Sequence, residues 1–389
     1  MKVLFAYNEH RGGGGSNNAT RATMEALGAA GIEIETFRRS SRDLPTNGWG
    51  RLRAGTSAFH APESLRAFER QLEAFRPDVV HAYELFPLIS PRILGACTRR
   101  GVPVVMSTDD FRLTCPVRTH LRDGRVCTEC LDGREYRAVL HNCRGNMAES
   151  IVLAGYAAMV RKLGLFSDHV TTFIAPSRFT CDWLVDKARI PRERIAVLAP
   201  VVDLPAEASD PANGTYVGFA GRIVPEKGIR TFAEAARISG LPFRLSRHES
   251  YFDAPELSQG LETVVTHDRS GLEAFYRGAR MIVLPSLWFE TFGLAAAEAM
   301  SHGIPAIGSR MGAIVELIED GVDGFLFEPG DAQDLAAKVT RLWSDPGLSR
   351  RMGAAARIKA AQWQRASHVE NVRAIYEKAV ADRMGGQAR

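Results

Sequence analysis

The sequence predicts an α/β protein of two doubly wound, parallel-sheet domains. Short apolar runs alternate with helix-like runs from the start of the chain, and the alternation begins afresh after residue 214. The length of 389 residues is enough for two full cores. In the first series, strand-like runs at 3–7, 32–37, 79–82 and 102–106 are separated by helix-like runs at 19–30 and 64–75. Residues 49–62 read as a loop, and 172–177 and 195–198 as two further strands. The polar, turn-rich stretch 206–214 reads as a linker. The second series places strands at 216–220, 243–246, 263–266, 281–284, 306–309 and 324–327. The expected domains are 1–203 and 204–361, with a last helix from about 362.

Composition excludes several classes. Hydrophobic residues make up 45% and charged residues 24%, an ordinary soluble balance. No run of about 18 apolar residues is present. The polar Asn8-Glu-His-Arg11 follows the first strand too closely for a signal peptide, so the expected location is cytoplasmic. Residues 1–200 hold 28 Lys/Arg against 21 Asp/Glu, while 201–389 hold 21 against 24. That basic excess suits peripheral contact with anionic lipid on the inner face of a membrane, and a solvated mixed surface accounts for it equally well. The nearly apolar stretch 150–166, charged at Arg161 and Lys162, fits a membrane interface or, as the preferred reading, a helix packed on a sheet. No basic stripe interleaved with aromatics appears, which excludes nucleic acid as a partner.

Chemistry concentrates in three segments. In Pro285-Ser-Leu-Trp-Phe-Glu290-Thr-Phe-Gly293-Leu-Ala-Ala-Ala-Glu298, two carboxylates stand eight residues apart across a loop and the helix that follows it. The first amides of a helix lack intrahelical partners and suit a phosphate, so Phe292, Gly293 and Leu294 are candidate binding positions. Ala295-Ala-Ala297 lets that helix sit close to its sheet. In Gly218-Phe-Ala-Gly221-Arg222-Ile-Val-Pro-Glu226-Lys227-Gly228, Arg222 supplies a bidentate fork and Lys227 a point charge for phosphate oxygens. After the first strand, His10 precedes the loop Gly12-Gly-Gly14-Gly15, whose bare backbone can approach a ligand closely.

Together these segments resemble the family 4 retaining glycosyltransferases, and the likeness runs through nearly the whole chain. The resemblance implies the GT-B fold, two Rossmann-like domains facing a cleft, with 1–203 on the acceptor side, 204–361 binding the nucleotide sugar, and 362–389 crossing back onto the first domain. It implies that Arg222 and Lys227 bind the donor diphosphate, that Glu290 contacts the donor sugar, and that Glu298 binds the ribose. Amides at Phe292, Gly293 and Leu294 would meet phosphate or sugar, and the loop carrying Gly14 and Gly15 would close over the diphosphate. The implied donor is a UDP- or GDP-linked sugar and the implied acceptor a saccharide or lipid-linked saccharide in bacterial polysaccharide assembly. No catalytic metal is required, and the chain has no Asp-x-Asp signature for one.

The chain departs from the family pattern at three places. Asp109, in Ser107-Thr-Asp109-Asp110-Phe, stands where relatives usually carry a His that lines the donor sugar, so it becomes the candidate catalytic group of that strand end. Ser246-Arg-His-Glu-Ser250 replaces a Gly-rich strand end, and the usual Gly around Thr266-His267 is missing, which alters contacts near the base. Ala313 replaces the second Gly of a Gly-Gly turn. His81, at the end of another strand, is a candidate for the crevice or a satisfied core residue, and Asp109 and Asp110 could instead cap a helix.

Four of six cysteines form Cys115-x11-Cys127-Thr-Glu-Cys130-x12-Cys143. This spacing is workable for a four-thiolate structural zinc site, with His120 and His141 as substitute ligands and free thiols as the alternative. Cys97 and Cys181 read as core residues. Two other functions compete with glycosyl transfer. A nicotinamide-dependent oxidoreductase fits poorly, because Asn17 stands where the third Gly of its fingerprint would fall. A non-catalytic nucleotide-sugar-binding protein remains as the alternative of a different class. No Gly-Lys-Ser/Thr follows the glycines, which excludes a P-loop.

Overall fold

A computed structural model describes residues 1–9, 15–43, 55–248 and 259–387. The chain divides into two compact units. Unit 1 comprises Met1–His120, Cys127–Ala199 and His368–Arg389; unit 2 comprises Leu121–Val126 and Pro200–Ser367.

Unit 1 is built on six parallel strands, β1 (Lys2–Glu9), β2 (Glu33–Ser40), β3 (Val79–Ala82), β4 (Val104–Ser107), β7 (Thr172–Ala175) and β8 (Ile195–Val197). Their order across the sheet is β2-β1-β3-β4-β7-β8. Every residue of β3, β4 and β7 is buried, as befits strands covered on both faces. One face packs Leu4, Val80, Val104 and Met106 against Phe68, Leu72 and Ile93 from helices Pro62–Phe75 and Ile93–Arg99. The other packs Val3, Phe5 and Val105 against Val372, Tyr376 and Ala379 of the last helix, Arg365–Gln387. His81 is sandwiched in that layer, its ring nitrogens 2.6 Å from Tyr376 Oη and 3.0 Å from Ser107 Oγ. Burial pushes its pKa down to about 3, so it is a neutral, satisfied core histidine.

Unit 2 repeats the plan with β9 (Tyr216–Ala220), β10 (Phe243–His248), β11 (Glu262–Thr266), β12 (Ala279–Leu284), β13 (Ala306–Ser309) and β14 (Gly324–Phe327), again all parallel. Here the order is β11-β10-β9-β12-β13-β14, the doubly wound arrangement that reverses between its first and fourth strands. Its core joins Val217, Phe219, Met281 and Val283 to Phe232 and to Leu335 and Val339 of the helix Ala332–Ser344. A separate antiparallel hairpin of two-residue strands, β5 (Leu121–Arg122) with β6 (Arg125–Val126), has no counterpart among the sequence expectations.

Several expectations need correction. The 206–214 stretch is no linker: Ser209 N donates to the His302 carbonyl at 2.8 Å, and Arg350 pairs with Asp210 at 2.9 Å, both within unit 2. Within the expected loop 49–62, residues 55–59 are helical and the helix Pro62–Phe75 begins at its end, while 49–54 lie outside the described residues. The apolar stretch 150–166, by contrast, follows its preferred reading: most of it belongs to the helix Met147–Lys162, capped by Asn146, which puts Tyr156 and Val160 into the unit 1 core. Among the described residues, no helix is long and apolar enough to cross a membrane.

Candidate functional site

In an open parallel sheet, ligands bind beyond the carboxyl ends of the strands where the order reverses. For unit 2 that place lies between β9 and β12, whose following loops carry Arg222–Lys227 and Ser286–Gly293. The two loops touch closely. Leu287 N donates to the Glu226 carbonyl at 2.9 Å, and a Cβ on Gly228, which has φ +71°, would fall 1.7 Å from the Pro285 carbonyl oxygen. Only glycine fits there.

Glu290 sits at the centre of this contact and is buried. Its Oε1 accepts hydrogen bonds from Lys227 Nζ at 2.6 Å, Ser286 Oγ at 2.6 Å and Trp288 Nε1 at 2.9 Å. Burial works to raise its pKa, but the Lys227 ammonium and the hydroxyl and indole donors outweigh burial and hold it below the ordinary carboxylate value. Its backbone is gripped as well: Ala313 N donates to the Glu290 carbonyl at 2.9 Å, and Gly312 at φ +58° passes so close that a Cβ would lie 2.6 Å from that oxygen. Ala313 is accommodated in this turn because its own φ is −70°, so only the first position needs glycine.

Gly293, at φ +100°, opens the helix Leu294–Ser301, whose first amides receive no side-chain cap. Phe292 is buried edge-on against Trp363. Glu298 lies within that helix, with its Oε2 2.8 Å from Tyr276 Oη; burial raises its pKa against the opposing effects of Tyr276 and Arg269. Arg222 is half-buried and makes no ion pair with the described residues, which leaves its guanidinium available.

In unit 1 the order reverses between β1 and β3. Residues 10–14, and with them His10 and Gly14, lie outside the described residues; Gly15 begins the helix Gly15–Ala29. Asp109 follows β4 and interacts with Ser16 in that helix's first turn. Burial raises the pKa of Asp109, with Arg112, 3.8 Å away, opposing it. Arg112 is nearly sealed and holds Glu84 at 2.7 Å and Asp110 at 2.7 Å, while Arg118 reaches Glu84 at 2.6 Å. Asp110 is thus the partner of Arg112 and caps no helix. Sequence reasoning missed Glu84, Arg112, Arg118, Tyr276, Ser286 and Trp288. Glu84 alone carried a signal, two residues beyond the end of β3.

The cysteine block lies on the same unit. Cys127 N donates to the His120 carbonyl at 2.7 Å, closing the hairpin, and the Cys130 thiol is pushed up to about 12 by burial and then by the thiols of Cys115, Cys143 and Cys127 around it. Among the described residues, no three His, Cys, Asp or Glu side chains are arranged to hold a metal ion as they stand. His120 is engaged with Thr114 Oγ1 at 2.8 Å and His141 with Glu129 at 2.9 Å.

Comparison with known proteins shows the family and the fold. Residues 204–359 match the family of glycosyl transferases group 1, and residues 14–200 match the glycosyl transferase 4-like domain. The chain is 30% identical over 235 residues to a D-inositol 3-phosphate glycosyltransferase of Arthrobacter sp. (strain FB24), covering 52% of this chain and 55% of that one. It is 37% identical over 126 residues to an MMP alpha-(1->4)-mannosyltransferase of Mycolicibacterium hassiacum, covering 30% of each. The chain therefore spans about half the length of the first of these relatives and less than a third of the second. Among solved structures, sucrose-phosphate synthase from Thermosynechococcus elongatus superposes with a TM-score of 0.73 at 18% identity, covering 98% of this chain and 100% of that one. Anabaena HepE in complex with UDP-glucose superposes with a TM-score of 0.66 at 17% identity, covering 97% and 100%.

Proposed function

The chain belongs to the family 4 glycosyltransferases and has the GT-B fold, and we propose that it moves a sugar, with retention of configuration, from a nucleoside diphosphate sugar to a saccharide or lipid-linked saccharide in bacterial polysaccharide assembly. The observation that carries this reading is the Lys227–Glu290 pair beside a helix start beyond β9 and β12, with Arg222 on the same loop as Lys227. A departing diphosphate needs its charge neutralised, and one cationic fork, one ammonium and free amides supply that without a catalytic metal. Glu290 addresses sugar hydroxyls, and Glu298, held by Tyr276, addresses the ribose. Asp109 stabilises the positive charge that develops on the sugar ring as the leaving group departs. The protein acts in the cytoplasm, with peripheral contact at the inner face of the membrane where the acceptor is lipid-linked.

A thermal-shift panel of UDP, GDP, ADP and their sugars tests the donor, since a ligand at about 100 times its Kd raises stability by roughly 2.7 kcal/mol. The UDP-glucose complex of Anabaena HepE puts the uridine compounds first. Release of nucleoside diphosphate in the presence of chelator, with the product anomer read by NMR, tests transfer, retention and independence from metal together. Binding without any turnover would leave a nucleotide-sugar-binding protein.

Cys115, Cys127, Cys130 and Cys143 make up the proposed structural zinc site, supported by the gathering of three thiols about the fourth. Metal analysis of reduced, chelator-free protein should find about one zinc per chain, with Zn–S distances of about 2.3 Å by X-ray absorption. Metal-free protein of unchanged melting temperature would leave four free thiols.

A further inference from the structure

Glu290 has two carboxylate oxygens in unlike surroundings. All three side-chain donors, from Lys227, Ser286 and Trp288, converge on Oε1 at 2.6, 2.6 and 2.9 Å. The other oxygen, Oε2, receives no side-chain bond from the described residues, and the Glu290 side chain as a whole is 9% exposed. A carboxylate fixed through one oxygen turns the other in a single direction, which is what recognition of a hydroxyl requires. Trp288 does more than donate. The Lys227 ammonium lies 5.1 Å from the centre of its ring, within cation–π range, so one half-buried side chain touches both members of the ion pair.

We infer that Trp288 is a positioning residue for the transfer reaction, its indole N–H fixing the Glu290 carboxylate and its ring face fixing the direction of Lys227. Ser286 shares the first task. Its hydroxyl bonds Oε1 while its own carbonyl is held by Ser309 Oγ at 2.7 Å, so the hydroxyl is anchored from behind. Neither residue touches substrate. This rests on the reading in which Glu290 faces the donor sugar.

Trp288→Phe keeps the ring and removes the N–H, and Ser286→Ala removes the second neutral donor with little change of volume. Nucleoside diphosphate release from a panel of UDP- and GDP-hexoses gives kcat and KM, and calorimetry with UDP and GDP gives binding. The expected result for Trp288→Phe is a kcat lower by about tenfold or more, the scale of one hydrogen bond to a charged group, with KM and nucleotide affinity within about twofold. Ser286→Ala should shift kcat in the same direction. Combined with Glu290→Ala, neither change should lower turnover further, because the group they position is gone.

If Glu290→Ala is crippled while both Trp288→Phe and Ser286→Ala turn over within twofold of wild type, the positioning role is wrong and the role of Glu290 stands. Additive losses in the Glu290→Ala background, or a loss confined to nucleotide affinity, would likewise overturn it. Turnover by Glu290→Ala within threefold of wild type would instead remove Glu290 from the chemistry, and no release by the wild-type protein from any donor would remove the transfer reaction itself. Should Trp288→Phe fail to fold, Ser286→Ala carries the same comparison.

Discussion

The two units share a plan and differ in how they wire charge at the place where the plan puts a ligand. Beyond β9 and β12, unit 2 pairs Lys227 with buried Glu290 and leaves Arg222 without an ion pair among the described residues, on a loop that also carries Glu226. Beyond β3 and β4, unit 1 gathers Glu84, Asp109 and Asp110 against Arg112 and Arg118, three anions to two cations. Equal architecture therefore yields different wiring of charge. A crevice that keeps a guanidinium out of ion pairs suits a diphosphate, and one with a carboxylate in excess suits hydroxyls and developing positive charge.

Four experiments would break or sharpen this contrast. The largest effect is expected for Glu290→Gln, which should lower transfer at least roughly 10²-fold and leave nucleoside diphosphate binding nearly intact; steady-state kinetics beside calorimetry separate the two. Asp109→Ala should lose most turnover, and Asp109→His should recover part of it with an altered donor preference, measured over the same donor panel. Wild-type rates for Asp109→Ala with every donor would make the acidic crevice structural only.

On the cationic side, Arg222→Ala should weaken UDP or GDP binding by roughly 1.5–3 kcal/mol and leave the melting temperature unchanged, because the guanidinium makes no ion pair with the described residues. Lys227→Ala should weaken binding by a similar amount and lower the melting temperature too, since it strands buried Glu290 without its cation. Equal melting behaviour of the two variants would deny the ion pair any structural weight.

The smallest effect is a pH dependence. Asp109 has a folded pKa raised by burial above the ordinary 3.8. Between those values the folded chain holds a proton that the unfolded chain has lost, so stability falls as pH rises through that window and the deficit is complete above it. Asp109→Asn should therefore raise the melting temperature at neutral pH, by about 2–4 °C for each kcal/mol relieved, and leave it unchanged below pH 3.8. A gain independent of pH would point to packing rather than charge.

Much of the scaffold was legible in the sequence. The strands Val79–Ala82, Tyr216–Ala220, Ala306–Ser309 and Gly324–Phe327 have the bounds expected of them, because each is a short, mostly apolar run between more polar stretches. The hairpin at residues 121–126 has strands of two residues, too short for any periodicity. The stretch at 206–214 misleads because polarity marks solvent contact, and polar residues such as Asp210 also tie down chain. At the candidate site, the loops were legible and the pairings were not. Lys227 meets Glu290 across 63 residues and Tyr276 meets Glu298 across 22, separations at which local pattern carries no information.

From His368 onward the last helix, Arg365–Gln387, completes the core of unit 1 although all of unit 2 precedes that part of it in the chain. A ribosome that has released residue 367 has delivered unit 2 whole, while the sheet of unit 1 still lacks Val372, Tyr376 and Ala379 on one face. The usual order of synthesis, in which the first domain folds first, is thereby reversed: the unit that begins the chain is the one that waits. Until Tyr376 arrives, His81 has no phenol to bond, and a nascent chain stalled short of it presents an uncovered apolar layer to the chaperones that meet it.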